Sequence, residues 1–213
     1  MPTLKYLHRH VWDETVNAIL DRRLPMSLVT LSISVIMPKQ PRTGFLEGLR
    51  SLKSLNLSFC VIGDSAFATL SRVIADELPS LLELSLCRNN LSDACDIGAI
   101  VGPSLQSLDL SFNAKIGGPG ATSLFRRLTV PGTRLAYVNL SNTRFRSPGL
   151  SFDGLDRWAV PNAHLVIPNL FSEDEVQRIE ACMPEGGVLE LDGPRCCPES
   201  LRLSGGRTMM LDF

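Results

Sequence analysis

The feature that most constrains this chain is a short leucine pattern that returns along most of its length. An aliphatic residue stands at the first, fourth and sixth positions of the pattern, and a small polar residue or a cysteine follows three positions later. In chain order, the copies centre on Leu31 (a fainter copy), on the clear copies at Leu55, Leu84, Leu108 and Val138, and on Leu165 and Leu189, whose copies lack the leading leucine. A pattern that recurs in this way indicates stacked repeat units.

The spacing between copies is regular and alternates between short and long units. The central residues stand at positions 31, 55, 84, 108, 138, 165 and 189, so the gaps are 24, 29, 24, 30, 27 and 24 residues. A unit of this length cannot bury its own apolar face, whereas stacked units share one continuous core. The spacing therefore predicts an elongated stack of about seven units.

Each unit combines a strand signal with a turn or a helix signal. The aliphatic residues of the pattern alternate, as in a strand with one buried face. In the longest unit, a helical face follows the strand and consists of Ala66, Leu70, Val73, Ile74 and Leu78. The unit after Leu86 contains a short glycine-broken stretch over residues 92–103, which predicts no full helix there.

This arrangement resembles the leucine-rich-repeat family, and its longer units look like the ribonuclease-inhibitor subtype. The motif I-G-D-x-A starting at Ile62, followed by Leu78 and Pro79, carries the likeness to that subtype. The resemblance covers residues 28–195 and weakens at both ends of that range. It implies an α/β solenoid, a short right-handed arc with parallel strands on the concave side and helices and loops on the convex side.

The repeat pattern divides the chain into three parts. Residues 1–27 are expected to form an N-terminal capping region with a helix over residues 12–20. Residues 28–195 are expected to form the repeats, of which the last two are degenerate. Residues 196–213 are expected to form a C-terminal cap. Caps are needed because terminal units would otherwise expose their leucines. Strand-like stretches at 188–191 and 209–213 either pair as a closing element, or the last one adds an eighth parallel strand.

Polar residues mark the turns and the helix starts. Asn89 and Asn113 are expected to bond backbone groups inside the turn after each strand, with the smaller Cys60 and Thr143 at the same position of other units. Asp64 is expected to cap the helix of the longest unit.

A second helix start is predicted near the C-terminal end of the repeats. Ser172 precedes the segment SEDEVQRIEACM, and Glu175 stands three residues later. This spacing predicts a capping box, in which the serine and glutamate side chains each bond the backbone at the other position.

The residues on either side of each central aliphatic residue are expected to face the concave surface. The predicted protein-binding face consists of Ser54, Asn56, Glu83, Ser85, Ser107, Asp109, Tyr137 and Asn139. It is small, polar and mildly acidic, and it lacks the Trp and Arg residues that usually dominate binding energy. Two interpretations stay open: Glu83 and Asp109 receive a Lys or Arg of a closely approaching partner, or the face is solvated and the edges of the stack bind.

A second candidate patch lies on loops near the C-terminal repeats. Arg144, Phe145, Arg146, Arg157 and Trp158 combine aromatic rings with arginines. Phe145, however, stands at the inward-facing loop position of the repeat, and Trp158 is expected to be half-buried.

No residue pattern points to catalysis, a cofactor or a metal. The glycine-rich residues 117–120 lack the Lys-Ser/Thr of a phosphate-binding loop, so a turn from strand to helix explains them better. The six cysteines include no C-x-x-C pair, and the three histidines are scattered, which gives no zinc pattern. Reduced thiols are expected.

Charge and hydropathy limit the partners. The formal net charge is −1, so a nucleic acid is not expected as a direct ligand. No charge-free run is longer than residues 24–38, and this length is shorter than the roughly 20 apolar residues that a membrane span requires. The N-terminal stretch has no apolar segment of a secretory signal, which favours the cytoplasm, including the cytoskeleton, with a short mitochondrial presequence as the alternative.

These observations predict a non-enzymatic scaffold or adaptor that binds protein partners, with no small-molecule substrate, as a subunit of a larger assembly. One alternative is an inhibitor-like regulator that blocks a basic enzyme through the concave face. Another is a subunit of a ribonucleoprotein particle, in which Arg22, Arg23, Arg126 and Arg127 contact phosphates.

Overall fold

The computed structural model describes residues 6–9, 24–33, 43–145 and 157–192 of the chain. The predicted helix over residues 12–20 and the predicted strand over 209–213 lie outside the described residues.

One parallel sheet runs through all of the described segments. Its eight strands are β1 (Tyr6–Arg9), β2 (Thr30–Ile33), β3 (Ser54–Asn56), β4 (Glu83–Ser85), β5 (Ser107–Asp109), β6 (Tyr137–Asn139), β7 (His164–Pro168) and β8 (Val188–Asp192). The spatial order of the strands equals their order in the sequence, and every neighbouring pair is parallel. This all-parallel stack with its intervening helices confirms the predicted α/β solenoid.

The segments between strands return along the other side of the sheet. They contain helices α1 (Asp64–Glu77), α2 (Gly118–Leu128) and α3 (Glu173–Cys182), and short 3-10 turns at Thr43–Leu46 and Ile97–Ile100. The turn at Ile97–Ile100 stands where the sequence predicted no full helix, and confirms that prediction.

The central aliphatic residues pair with one another across the whole sheet. Along the sheet they are Leu7, Leu31, Leu55, Leu84, Leu108, Val138, Leu165 and Leu189. All seven predicted positions are confirmed, and Leu7 adds an eighth that the sequence analysis missed. Its pattern is incomplete, because Arg9 replaces the last aliphatic residue. The sheet therefore extends into residues 1–27, where only a capping region was expected.

One continuous core lies beneath the sheet. In the five units centred on Leu31, Leu55, Leu84, Leu108 and Val138, the first and last aliphatic residues are buried beside the central ones. They are Leu28, Ile33, Leu52, Leu57, Leu81, Leu86, Leu105, Leu110, Leu135 and Leu140. The buried side chains form a single cluster from Leu24 to Leu189. This shared core is the physical reason for the stack, because burial of apolar surface is the dominant favourable term in folding.

Buried asparagines bond backbone groups inside the turn, as predicted, and they also join neighbouring units, which was not predicted. The side-chain nitrogen of Asn113 donates to the carbonyl oxygens of Leu86 and Leu110 at 2.9 Å each, while its side-chain oxygen accepts from the backbone nitrogen of Leu91 at 3.2 Å. Asn89 makes the equivalent contacts with Leu57, Leu86 and Ile62 one unit earlier. These bonds satisfy backbone groups that the tight turn leaves without a partner.

The smaller residues at the same position make fewer bonds. The thiol of Cys60 donates to the carbonyl oxygen of Ile33 in the preceding unit at 3.1 Å. The hydroxyl of Thr143 donates to Leu140 of its own unit at 2.7 Å. The prediction that both residues occupy this position is confirmed.

The role predicted for Asp64 is wrong. Helix α1 is capped by Gly63 without a side-chain hydrogen bond, and Asp64 is its first residue. The Asp64 carboxylate instead accepts hydrogen bonds from Ser92 of the next unit, from its backbone nitrogen at 2.9 Å and its hydroxyl at 2.6 Å, and from the Cys95 thiol at 2.9 Å. Asp64 therefore links two units rather than capping its own helix.

The helices bury the faces that contact the sheet. The predicted face of α1 is confirmed at Ala66, Leu70 and Ile74, whereas Val73 is only partly buried and Phe67 joins the core instead. At the start of α3, Ser172 and Glu175 form the predicted capping box.

Candidate protein-binding face

Two rows of strand side chains lie on the concave surface, and we call them together the floor. Side chains alternate across a strand, so the neighbours of each buried central residue point away from the core. In register, the first row is Thr30, Ser54, Glu83, Ser107, Tyr137, His164 and Val188, and the second is Ser32, Asn56, Ser85, Asp109, Asn139, Val166 and Glu190. The structure thus brings all eight residues predicted for the binding face into these two rows.

Three residues of the second row also end their strands. The side-chain oxygens of Asn56, Asp109 and Asn139 accept from the backbone nitrogens two residues later, at 2.9, 3.0 and 2.9 Å. Asp and Asn side chains favour such turns because they bond the backbone two residues ahead. These three side chains are therefore fixed in position before any partner arrives.

Asp109 is the most firmly held carboxylate of the floor. One oxygen accepts from the backbone nitrogen of Ser111 at 3.0 Å, and the other accepts from the hydroxyl of Ser85 at 3.2 Å. The Ser85 hydroxyl lies 2.9 Å from that of Ser58, one unit further along the sheet. This network orients the Asp109 carboxylate at the centre of the floor.

The C-terminal end of the floor holds an aromatic and ionisable group. The rings of Tyr137 and His164 meet edge to face with centroids 5.3 Å apart, and the His164 ring nitrogen lies 2.9 Å from the Glu190 carboxylate. Burial raises the pKa of the Tyr137 hydroxyl, and the carboxylates of Asp109 and Glu190 raise it further, against a smaller effect of a hydrogen bond with Asn139. The hydroxyl therefore stays protonated and can donate to a partner.

The floor carries negative charge without a compensating lysine or arginine. Its carboxylates are Glu83, Asp109 and Glu190, and between Thr30 and Glu190 the two rows contain one basic side chain, His164. Glu83 and Glu190 are exposed. Carboxylates arranged in this way attract a positively charged side chain and raise its local concentration.

A second group of residues, which the sequence analysis missed, lies where the strands end. Phe59, Arg88 and Phe112 each stand four positions after the central leucine of three successive units, and we call them the edge cluster. The guanidinium carbon of Arg88 lies 5.2 Å from the ring centroid of Phe59 and 5.7 Å from that of Phe112. Both distances are within the range of a cation–π interaction.

The edge cluster has an unusual backbone. Phe59, Arg88 and Phe112 have φ angles of 62°, 54° and 58°, and Asn142, at the same position of the next unit, has 54°. This left-handed region is disfavoured for large side chains and accommodates asparagine more readily. The sequence shows that these residues occupy the same position in each unit, but it does not indicate that their side chains face solvent.

The second predicted patch does not form an exposed aromatic surface. Phe145 is fully buried, as predicted, and packs edge to face against Phe125. Trp158 is buried rather than half-buried, because its ring nitrogen donates to the Leu135 carbonyl oxygen at 2.8 Å. Arg144 and Arg157 are exposed, and Arg146 lies outside the described residues.

Two of the described thiols, those of Cys87 and Cys95, are held in the protonated form. Cys60, Cys87, Cys95 and Cys182 form no disulfide with one another. Burial, followed by the hydrogen bond to Asp64, raises the pKa of Cys95 to about 12. Burial also raises the pKa of Cys87, with a further contribution from Asp109. Within residues 6–9, 24–33, 43–145 and 157–192, no His, Cys, Asp and Glu side chains cluster in a way that could hold a metal.

The glycine-rich turn before α2 has no room for a phosphate. The Asp93 carboxylate of the preceding unit accepts from the backbone nitrogens of Gly117 and Gly120 at 2.7 and 2.9 Å. It therefore occupies the position at the helix start where an anion would bind. In the part of the chain that the structure describes, no helix has the length and apolar composition to cross a bilayer.

Comparison with known proteins agrees with the architecture. Residues 48–67 and 103–125 match the family model described as the leucine-rich repeat. No curated protein matches the chain significantly. The two matched segments contain strands β3 and β5 of the parallel sheet, with the turns and helix starts that follow. The parallel sheet and the matched segments together identify a leucine-rich-repeat solenoid.

Proposed function

We propose that this chain is a scaffold or adaptor that binds a basic segment of a partner protein on the floor. Leucine-rich repeats are generally protein-interaction modules and are generally non-enzymatic. The observation that carries the proposal is the oriented Asp109 carboxylate, which lies beside half-buried polar groups, without a lysine or arginine in the described rows.

The floor suits a lysine or arginine side chain of the partner. Asp109 is already fixed by two hydrogen bonds, so little additional ordering is needed when a cation binds it. Glu83 lies in the neighbouring strand, two register positions away, and is exposed. A charged hydrogen bond to a preformed carboxylate is stronger than a neutral one.

The finer assignments belong to this proposal as well. Helices of 14 and 11 residues in the two long units, α1 and α2, support a ribonuclease-inhibitor-like subtype. The proposed location is the cytoplasm, including the cytoskeleton, with the mitochondrion as the alternative, and imaging of a C-terminally tagged chain distinguishes them. Membership in a multi-protein assembly is proposed because repeats occupy most of the described residues.

The acidic floor also favours a second candidate, an inhibitor-like regulator of a basic enzyme. The two candidates use the same surface and differ in whether the partner loses activity when bound. In a ribonucleoprotein particle, this chain would mainly contact other proteins, because its net charge of −1 gives little attraction for phosphates.

The test compares affinity capture by the wild-type chain and by a variant with Asp109→Asn and Glu83→Gln. Asparagine already makes the equivalent turn in the units of Asn56 and Asn139, so the fold is expected to persist. A matched control neutralises Asp76 and Glu180, which are exposed on α1 and α3.

The proposal predicts that a basic partner is captured by the wild type and the control, that the floor variant loses it, and that added salt weakens capture. Equal capture by all three proteins would contradict it. An activity assay on the captured partner then separates a scaffold from an inhibitor.

A further inference from the structure

We propose that the edge cluster binds a carboxylate-bearing, apolar segment of a partner protein. The carboxylate would bind the Arg88 guanidinium, and an apolar neighbour would pack on Phe59 or Phe112. This inference rests on the proposed role in protein binding, but on different residues and on the opposite charge from the floor.

Three consecutive units bring the edge cluster together. The backbone nitrogen of Phe59 donates to the Cys87 carbonyl oxygen, and that of Arg88 donates to the Ser111 carbonyl oxygen, both at 2.9 Å. The sheet ladder thus continues past the strands and places Arg88 between the two phenylalanines. The alternation of ring, guanidinium and ring is therefore set by the backbone register.

The exposure of the two rings is not explained by folding. Phe59 and Phe112 are 39% and 48% exposed, so they add little to the core. Both also adopt the left-handed backbone, which an asparagine such as Asn142 adopts with less strain. Residues held in disfavoured conformations occur preferentially at binding sites. Contact with a partner would bury the rings and offset this strain.

Arg88 provides the charge that selects the partner. Among the described residues, no carboxylate forms an ion pair with the Arg88 guanidinium. Arg88 is exposed, so its guanidinium is accessible for a charged hydrogen bond with a carboxylate of a partner. Arginine and aromatic residues together are also the residue types that contribute most to protein interfaces.

A carboxylate fits this site better than a nucleic acid. A phosphate backbone presents many charges and binds through several cations. The edge cluster has one arginine, and Asp109 stands only three residues before Phe112 at the adjoining border of the floor. A single carboxylate between apolar side chains matches the one cation and the two rings.

The test is a titration of the ¹⁵N-labelled full chain with three peptides, followed by NMR. The peptides are acetyl-GLELG-amide, its GLQLG analogue and its GLKLG analogue. We expect the glutamate peptide to shift the amide signals of Phe59, Arg88 and Phe112 and to bind about fivefold more tightly than the glutamine peptide at low salt.

Two variants with a matched control sharpen the result. Arg88→Gln is expected to abolish the preference for glutamate over glutamine, while Arg72→Gln, an exposed arginine on α1, leaves it unchanged. Phe112→Asn keeps a side chain that tolerates the left-handed turn and is expected to weaken all binding at this site. The amide spectrum of each variant reports whether it is folded.

Each contrary outcome overturns this proposal. The first is the absence of shifts at about 10 mM peptide, a concentration at which even weak binding is detected. The second is equal affinity for GLELG and GLQLG. The third is a stronger shift of the same amides with a ten-nucleotide thymidine oligomer. A preference for GLKLG with shifts at Glu83 and Asp109 would support the floor while refuting the edge cluster. If the floor variant still captured the partner, the proposal for the floor would fail, but the result of the peptide titration would be unaffected.

Discussion

The carboxylate of Asp93 caps a helix that belongs to the next repeat unit, since it lies 2.7 Å from the backbone nitrogen of Gly117. The glycines make this approach possible. A Cβ atom on Gly117 would lie 2.8 Å from one Asp93 oxygen, and a Cβ atom on Gly120 would lie 2.9 Å from the other. The glycine-rich turn therefore serves a contact between units.

Asp93→Ala is expected to lower the free energy of unfolding by about 1 kcal/mol, because it removes a helix cap. Urea denaturation followed by circular dichroism measures the change. Asp76→Ala, on the exposed side of α1, is the matched control and is expected to change stability by less than about 0.5 kcal/mol. Equal effects of the two substitutions would show that Asp93 does not cap α2.

Asn113→Ala is expected to destabilise the fold by about 2–4 kcal/mol, because Asn113 is fully buried and bonds backbone groups of two units. Removal of its amide leaves several of those groups buried without a partner. Asn90→Ala, at an exposed asparagine in the preceding unit, serves as the control. A loss below about 1 kcal/mol for Asn113→Ala, measured by the same denaturation, would mean that water replaces the amide.

The stability of the fold is expected to decrease in acid partly through Asp64. Burial of Asp64 opposes its ionisation, but hydrogen bonds from Cys95 and Ser92 outweigh this effect and hold the pKa of Asp64 below the ordinary 3.8. The unfolded chain therefore binds this proton more readily than the folded chain. The contribution is present above about pH 4 and is lost as the pH falls through the lowered pKa.

The measurement is urea denaturation of the wild type and of Asp64→Asn between about pH 7 and pH 2.5, a range that spans the ordinary pKa of an aspartate. The wild type should be the more stable protein at neutral pH, and the difference should shrink below about pH 4. A difference that is constant with pH would contradict the role of the ionised carboxylate.

Val61→Asn is expected to stabilise the protein. Val61 is 41% exposed and has a φ angle of 55°, a conformation that is strained for a β-branched residue. Relief of this strain is worth about 1 kcal/mol, or a rise in melting temperature of about 2–4 °C for a chain of this size. Calorimetry measures the change, and Val130→Asn, at another exposed valine without a positive φ, controls for the loss of apolar surface.

The leucine spacing was sufficient to predict the stack, because burial depends on a period that is visible in the sequence. The bonds of Asn113 and the capping box of Ser172 were predictable for a similar reason, since each uses local turn or helix geometry. The partners of Asp64 were not, because Ser92 lies in another unit and its distance from Asp64 depends on how the two units stack.

The eight residues of the predicted binding face could be placed because alternation within a strand determines which side chains share a side. The edge cluster could not, because Phe59, Arg88 and Phe112 follow the strand and their direction depends on a left-handed turn. The pairing of His164 with Glu190 likewise required the register of β7 and β8. Contacts across units depend on how the units stack, whereas contacts within a unit can be predicted from the repeat.

The threonine at position 143 has a mechanical consequence for the solenoid. Asn89 and Asn113 bond the carbonyl oxygens of the preceding unit, so each of those joints is stiffened by a buried side chain. The Thr143 hydroxyl donates to Leu140 within its own unit. Its side chain therefore makes no such bond to a carbonyl oxygen of the preceding unit, which contains Leu110. This joint, between the part that carries the edge cluster and the part that carries His164 and Glu190, therefore lacks a link that the two joints before it have.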